Sequence, residues 1–273
     1  MASATATATR RQLTAATADR HDLYQRSVQA TEPELRFLAR VFARRNRRPA
    51  CALREDFCGT ALLCADWVKS APERTAIGVD LDEETLRYAR RTHVAPLGRA
   101  AERVTLLRCN VLDPAPVKVD LTVAFNFSYC VFKTRAEILR YFASARRGLA
   151  RGGGLVLDVY GGPDAQTELV EKKAGSGFTY VWEQEPLDAV THCAWRHIHF
   201  RFPDGSEMTR AFSYDWRVWT LPEIIDALRE VGFVGVDVYW EGADKKGEGS
   251  GIFRRVEHAE NEQAWIAYVV AWR

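Results

Sequence analysis

The chain has 273 residues, 47% of them hydrophobic and 27% charged, with 38 Lys plus Arg against 36 Asp plus Glu. That length and apolar fraction support a sizeable buried core and exclude a disordered chain, and a formal charge of +2 gives no global field for gripping nucleic acid or an anionic membrane. No apolar run approaches the ~20 residues of a membrane-spanning helix, so a cytoplasmic protein is expected.

The six cysteines (Cys51, Cys58, Cys64, Cys109, Cys130 and Cys193) form no CxxC pair. They read as buried thiols in a reducing compartment rather than disulfides or a zinc site. Residues 1–20, rich in Ala, Thr and Arg, read as a disordered tail, with an organelle transit peptide as the alternative. A helix is predicted from Thr31: Thr31 and Glu34 match a capping box, Pro33 fits the first turn, and Leu35, Leu38, Val41 and Phe42 recur at helical spacing. Seven Arg and no acid lie between Leu35 and Arg54. They read as a solvated helix C-terminus against the negative dipole end, in preference to a nucleic-acid patch.

From Ala50 the chain alternates predicted strands (50–55, 75–80, 104–109, 121–126, 155–160) with predicted helices (60–70, 83–92, 135–150). Asp82 caps the second helix, and Thr134 with Glu137 boxes the third. This rhythm predicts a doubly wound α/β fold with helices on both faces of a mostly parallel sheet. It breaks at 161, where strands at 178–185, 192–202 and 207–219 follow, the last two joined across Pro203-Asp204-Gly205. It resumes with a helix opened by Thr220, Pro222 and Glu223, then strands at 233–240 and 264–272. The predicted organisation is a tail (1–20), a core (21–160 and 220–273) and an antiparallel β cap (161–219). The stretch 161–220 holds 10 of the 30 aromatic residues and nine acids against six bases.

The densest chemistry lies at 53–63, LREDFCGTALL, between the first strand and first helix. A Gly-containing turn there lets backbone approach a ligand and aims helix N–H groups at it. Asp80, 21 residues past Gly59, ends the second strand, where an acid suits a pair of ribose hydroxyls. G-x-G-x-x-G and GxxxxGK[ST] are both absent, which disfavours NAD and a phosphate loop.

Glu55-Asp56-Phe57-Cys58-Gly59-Thr60-Ala61 resembles the D-x-x-C-G-T-G turn of class I S-adenosylmethionine-dependent methyltransferases. The chain is most similar to their small-molecule type, including glycine and amino-sugar N-methyltransferases. The likeness covers about 50–160 and resumes at 220–273. It implies a Rossmann-like sheet of seven strands, the last antiparallel, with S-adenosylmethionine over the strand C-terminal ends. By this resemblance Glu55 and Gly59 lie near the methionine part and Asp80 takes the ribose. Asn110, standing where the family has an acid, faces the adenine, and Phe125 and Asn126 line the methyl donor. Cys58, Leu81 and Val111 join the cofactor-binding set. Asp22-Leu23-Tyr24-Gln25-Arg26-Ser27 resembles a segment whose Tyr closes over the cofactor carboxylate, a role for Tyr24, with plain helix packing as the alternative. The departures are Phe57 and Ala61 in place of glycines and Arg54 inside the first strand. Asn126-Phe127-Ser128-Tyr129 sits where amino-methyltransferases carry N-P-P-Y. Without the prolines it reads as a packed strand end in preference to a substrate-amine site.

The acceptor half is less determined. Period two puts Cys193, Trp195, His197 and His199 on one strand face. His197 and His199 are the candidate general bases, with surface packing as the alternative and no metal expected. Phe212, Tyr214 and Trp216 suit an apolar substrate or a cationic amine, or equally the core of a small sheet. The 241–262 loop, containing GADKKGEGSG, is a lid or an idle hairpin. The expectation is methyl transfer to a small-molecule acceptor, N- ahead of O- or S-methylation, with no nucleic-acid or membrane partner and a homodimer through the cap left open. The rivals are an RNA- or protein-directed methyltransferase and a non-catalytic S-adenosylmethionine-binding or dimerisation protein.

Overall fold

The computed structural model describes residues 13–114, 116–243 and 249–273. Five strands run parallel: β1 (Ala52–Asp56), β2 (Thr75–Asp80), β3 (Val104–Arg108), β4 (Val119–Ala124) and β5 (Leu149–Gly161). β10 (Gly235–Ala243), β11 (Gly249–Val256) and β12 (Trp265–Trp272) extend the sheet antiparallel, in the order β11-β10-β12-β5-β4-β1-β2-β3. The direction of winding reverses between β1 and β4, which opens a crevice at the C-terminal strand ends, the ligand position of open α/β sheets.

Alternation along β5 shows how the layers are sealed. Val156 enters the apolar cluster under α2 (Thr31–Asn46), α3 (Leu62–Lys69) and α4 (Glu83–Ala89). Leu155, Leu157 and Val159 enter the opposite cluster under α5 (Arg135–Gly148) and α6 (Leu221–Glu230). Thr134–Glu137 and Thr220–Glu223 form complete capping boxes and Asp82 caps α4, as predicted. Thr31 does not cap α2: Ala30 takes the cap position, and the Thr31 hydroxyl donates instead to Asp66 Oδ2 at 2.7 Å.

A second sheet, β6 (Leu169–Gly175), β7 (Phe178–Gln184), β8 (Cys193–Arg201) and β9 (Glu207–Arg217), is antiparallel throughout. Phe178, Ile198 and Phe200 on it, with Phe202 in the turn after β8, form an apolar cluster with Leu23 of α1 (Arg20–Val28). The core sheet has eight strands rather than the seven expected. β11 escaped notice because it is a Gly- and Arg-containing edge that buries only Phe253. β6, exposed and polar, was missed for the same reason. The expected disordered tail is corrected over 13–20: Leu13, Ala15 and Ala18 pack on the cap, Ala15 N donates to Ser206 Oγ at 2.9 Å, and Asp19 caps α1. The rest of that tail, and 244–248 of the proposed lid, lie outside the described residues. Among the described residues no helix is long and apolar enough to cross a membrane.

Candidate functional site

The turn from β1 to α3 is built from left-handed backbone: Phe57, Gly59 and Ala61 have φ of 58°, 50° and 54°. For Phe57 and Ala61 this costs about 1–2 kcal/mol each. Hydrogen bonds hold it: Cys58 N to Val79 O (2.9 Å), Ala61 N to Cys58 O (2.8 Å) and Gly59 N to Asp80 Oδ2 (2.8 Å). A Cβ at Gly78 would sit 2.9 Å from Cys58 Sγ, so a glycine there is what lets Cys58 seat. A Cβ at Gly59 would meet nothing within 4 Å, because this residue faces open space.

That space is a cavity of about 520 Å³ between the core strand ends, α1 and the cap. Asp80 borders it; its other oxygen accepts from Asp82 N at 2.9 Å, leaving one lone pair on each oxygen for a ligand. Glu55 also borders it and is buried, with Oε2 accepting from Cys64 N (3.2 Å) and Cys64 Sγ (3.0 Å). Burial outweighs those bonds and pushes the Glu55 carboxyl up to about 8. Arg54, out of place in an apolar strand, donates to Asp56 Oδ1 (2.6 Å) and Val111 O (3.0 Å), while Tyr141 donates to Asp56 Oδ2 (3.1 Å). Burial still raises the Asp56 carboxyl.

Phe125 and Asn126 border the cavity past β4. Asn126 and Phe127 are both left-handed (φ 56° and 57°), and their N–H groups donate to the two oxygens of Asp158, at 2.6 and 2.9 Å. Burial pushes the Asp158 carboxyl up to about 7 against those bonds. Tyr24 of α1 borders the cavity with its ring 5.0 Å from Phe212, and its hydroxyl is held protonated by burial and the neighbouring Tyr214. Gln25 of the same helix donates to Thr60 Oγ1 at 2.5 Å. Gln29 brings a buried, unpartnered Oε1 to the cavity wall. The cap contributes Phe212, Tyr214 and Trp216, the last two stacked at 4.6 Å.

Tyr24, Glu55, Cys58, Gly59, Asp80, Phe125 and Asn126 thus converge on one cavity. Leu81, Asn110 and Val111 do not border it. Leu81 is 63% exposed, Val111 packs in the core, and Asn110 Oδ1 is engaged by Leu112 N at 3.0 Å in a local turn. His197 and His199 are also elsewhere, and the general-base expectation is corrected. On β8 the residues flanking them, Arg196 and Ile198, lie opposite Tyr214 and Phe212 on the inner face, so the two histidines face the opposite side. There His197 bonds Ser213 Oγ (2.8 Å) and Glu185 (3.0 Å), and His199 bonds Glu183 (2.7 Å) and Arg210 N (3.1 Å). Among the described residues no three of His, Cys, Asp or Glu are placed to hold a metal ion. The residues missed from sequence are His21, Gln29, Asp56 and Asp158. Only the acids, inside otherwise apolar strands, left a signal.

No protein-family model and no curated protein matches this chain. Solved structures do. An S-adenosylmethionine-dependent methyltransferase from Clostridium acetobutylicum superposes with a TM-score of 0.67 at 15% identity, over 91% of this chain and 96% of that one. CalS10, an amino pentose methyltransferase from Micromonospora echinaspora, gives 0.65 at 17% identity, over 93% and 95%. The sugar N-methyltransferase KedS8 from Streptoalloteichus gives 0.63 at 19%, over 100% and 98%. The chain has the fold of these enzymes, and at such identities the likeness speaks to fold alone.

Proposed function

We propose that this chain is an S-adenosylmethionine-dependent methyltransferase acting on a small-molecule acceptor, an amine ahead of an alcohol or thiol. The observation that carries the reading is the Gly59–Asp80 arrangement: an open-faced backbone turn clamped to an acid that keeps a lone pair free on each oxygen, on the floor of a cavity of about 520 Å³. Asp80 would accept from the ribose hydroxyls. Glu55 and the orphan Gln29 Oε1 offer acceptor atoms suited to the cofactor's ammonium, and Tyr24 closes over it. When bound, the cofactor supplies an electrophilic methyl group on a sulfonium.

This chain's own part is alignment and a dry pocket. Phe125 and Asn126, read as lining the methyl donor, face across the cavity to the rings of Phe212, Tyr214 and Trp216, which would enclose the acceptor. Aromatic faces attract an ammonium-bearing acceptor. His21 borders the same cavity, and burial with the Arg20 charge beside it lowers its pKa, so the ring is a neutral proton acceptor. The names of two solved relatives, an amino pentose and a sugar N-methyltransferase, agree with an amine. We assign the protein to the cytoplasm, without a nucleic-acid partner.

Calorimetry with S-adenosylmethionine tests the cofactor. A labelled-methyl screen against pooled amines, phenols and thiols tests the acceptor, with label expected in the amine pool. Label entering only RNA or protein would overturn the substrate class.

A further inference from the structure

We infer that Asp158 is a positioning residue for methyl transfer: its carboxylate holds the Asn126-Phe127 turn in left-handed backbone and thereby sets the acceptor-side floor of the cavity. The inference rests on the methyltransferase reading above.

The left-handed region crowds Cβ against the following carbonyl, and residues other than glycine visit it singly. Asn126 and Phe127 occupy it in succession, at φ 56° and 57°. Such backbone persists only where its surroundings over-determine it. Here Asp158 takes both left-handed amides, Asn126 N donating to Oδ2 at 2.6 Å and Phe127 N to Oδ1 at 2.9 Å, while the Ser128 hydroxyl donates to Phe125 O at 2.8 Å and Cys130 N to Phe127 O at 2.9 Å. Bonds from amide N–H to an ionised carboxylate are roughly twice as strong as neutral ones, and burial confines that form of Asp158 to pH above about 7. Asp158 is buried on β5, the strand beside β4, and makes no ion pair among the described residues.

The turn has two outputs. Phe125 and Asn126 border the cavity, whereas the Phe127 ring turns to Tyr160 (4.6 Å) and to Trp216 (6.2 Å), and Trp216 borders the cavity from the cap. One carboxylate therefore fixes both the core floor and the seat of a cap ring. The cofactor turn has its own clamp, Asp80 on Gly59, carried by a different strand. Two separate clamps make the effects separable: loss of Asp158 should impair transfer far more than it loosens the cofactor, whose main clamp it leaves in place.

The test measures methyl transfer from labelled S-adenosylmethionine to the amine pool that wild type labels, with S-adenosylhomocysteine affinity read on the same full-length preparations. Asp158→Asn keeps the volume but turns an NH2 group toward one of the two amides. Its kcat should fall about a hundredfold, with S-adenosylhomocysteine affinity changed far less than kcat. In that background Phe127→Gly should exceed Phe127→Ala by about tenfold in kcat, since both lack the ring and only glycine takes this backbone without strain. If Asp158→Asn does not fold, the same contrast is read in Asp158→Glu, which holds its charge one methylene out of place. Equal rates for the Gly and Ala variants, wild-type kcat in Asp158→Asn, or a loss confined to cofactor affinity would each overturn the role. A wild type that binds no S-adenosylmethionine overturns the methyltransferase reading and this role together. Binding with a silent Asp158→Asn overturns this role alone.

Discussion

On the core side the cavity wall is backbone held by carboxylates, with Gly59 on Asp80 and the Asn126-Phe127 turn on Asp158. On the cap side it is chiefly ring faces, Phe212, Tyr214 and Trp216, with Arg210 and Ser213 beside them, and no described cap carboxylate borders it. The cap histidines are bonded away from the cavity, His197 to Glu185 and to Ser213 Oγ, and His199 to Glu183. On the proposed function, the difference follows from what each half has to do. A cofactor of fixed shape is met by fixed N–H groups and acids, which cost no reorganisation when it binds. An acceptor surface built of rings selects by shape and π-face and is varied by exchanging side chains on an unchanged sheet.

The comparison can be broken first in the core. Arg54 and Asp56 are both buried, and Arg54 ties the cofactor strand to Val111 O. Arg54→Met leaves Asp56 without its cation, so stability in urea should fall by about 3–5 kcal/mol. Adding Asp56→Asn should restore most of it. No loss in the single variant would mean that the core turn does not depend on its buried charges. Next in size, Asp80→Ala removes the Gly59 clamp together with the oxygens proposed to accept from the ribose. S-adenosylmethionine should bind roughly a hundredfold more weakly by calorimetry, two charged hydrogen bonds being enough for that. Unchanged tight binding would remove the cofactor assignment.

How much of this was legible depended on how local the chemistry is. The capping boxes at Thr134 and Thr220 were read correctly because donor and acceptor lie three residues apart. The same letters at Thr31 failed, since its hydroxyl reached Asp66, 35 residues away. Gly59 with Asp80 could be read because a strand–turn–helix–strand unit fixes their separation. Asp158 acquires meaning only once β4 and β5 are paired, bringing it to amides 31 and 32 residues earlier. Period two correctly grouped Trp195, His197 and His199. Which face looks inward depended on Leu23 of α1 packing against Ile198 and Phe200, a contact across 175 residues or more that no local pattern encodes.

A smaller effect reports on Glu55. Its carboxyl is pushed up to about 8, so at pH 7 the free protein holds it mainly protonated. A cofactor ammonium beside it would favour the charged form and lower that pKa. Binding near pH 7 should therefore release up to about one proton, read from calorimetry in buffers of different ionisation enthalpy. Glu55→Gln should abolish the release. Because the folded pKa lies above the ordinary 4.5, the free fold binds this proton more tightly than the unfolded chain. Its stability should accordingly fall as pH rises from about 4.5 toward 8, and a stability that rises over that window would contradict the buried placement.

The smallest catalytic effect is expected from the cap histidines. His197→Gln and His199→Gln each replace a ring whose two nitrogens are both bonded, so stability should drop by about 1–3 kcal/mol. Neither ring borders the cavity, and kcat at saturating acceptor should stay at the wild-type value across pH 6–8. A general base in contact with the acceptor would instead contribute about 10²- to 10⁴-fold and leave its titration in the pH profile. A loss of that size at either position would put the polar face of the cap against the acceptor. The inner rings would then be only the small sheet's own core, and the division of labour between the two halves would be reversed.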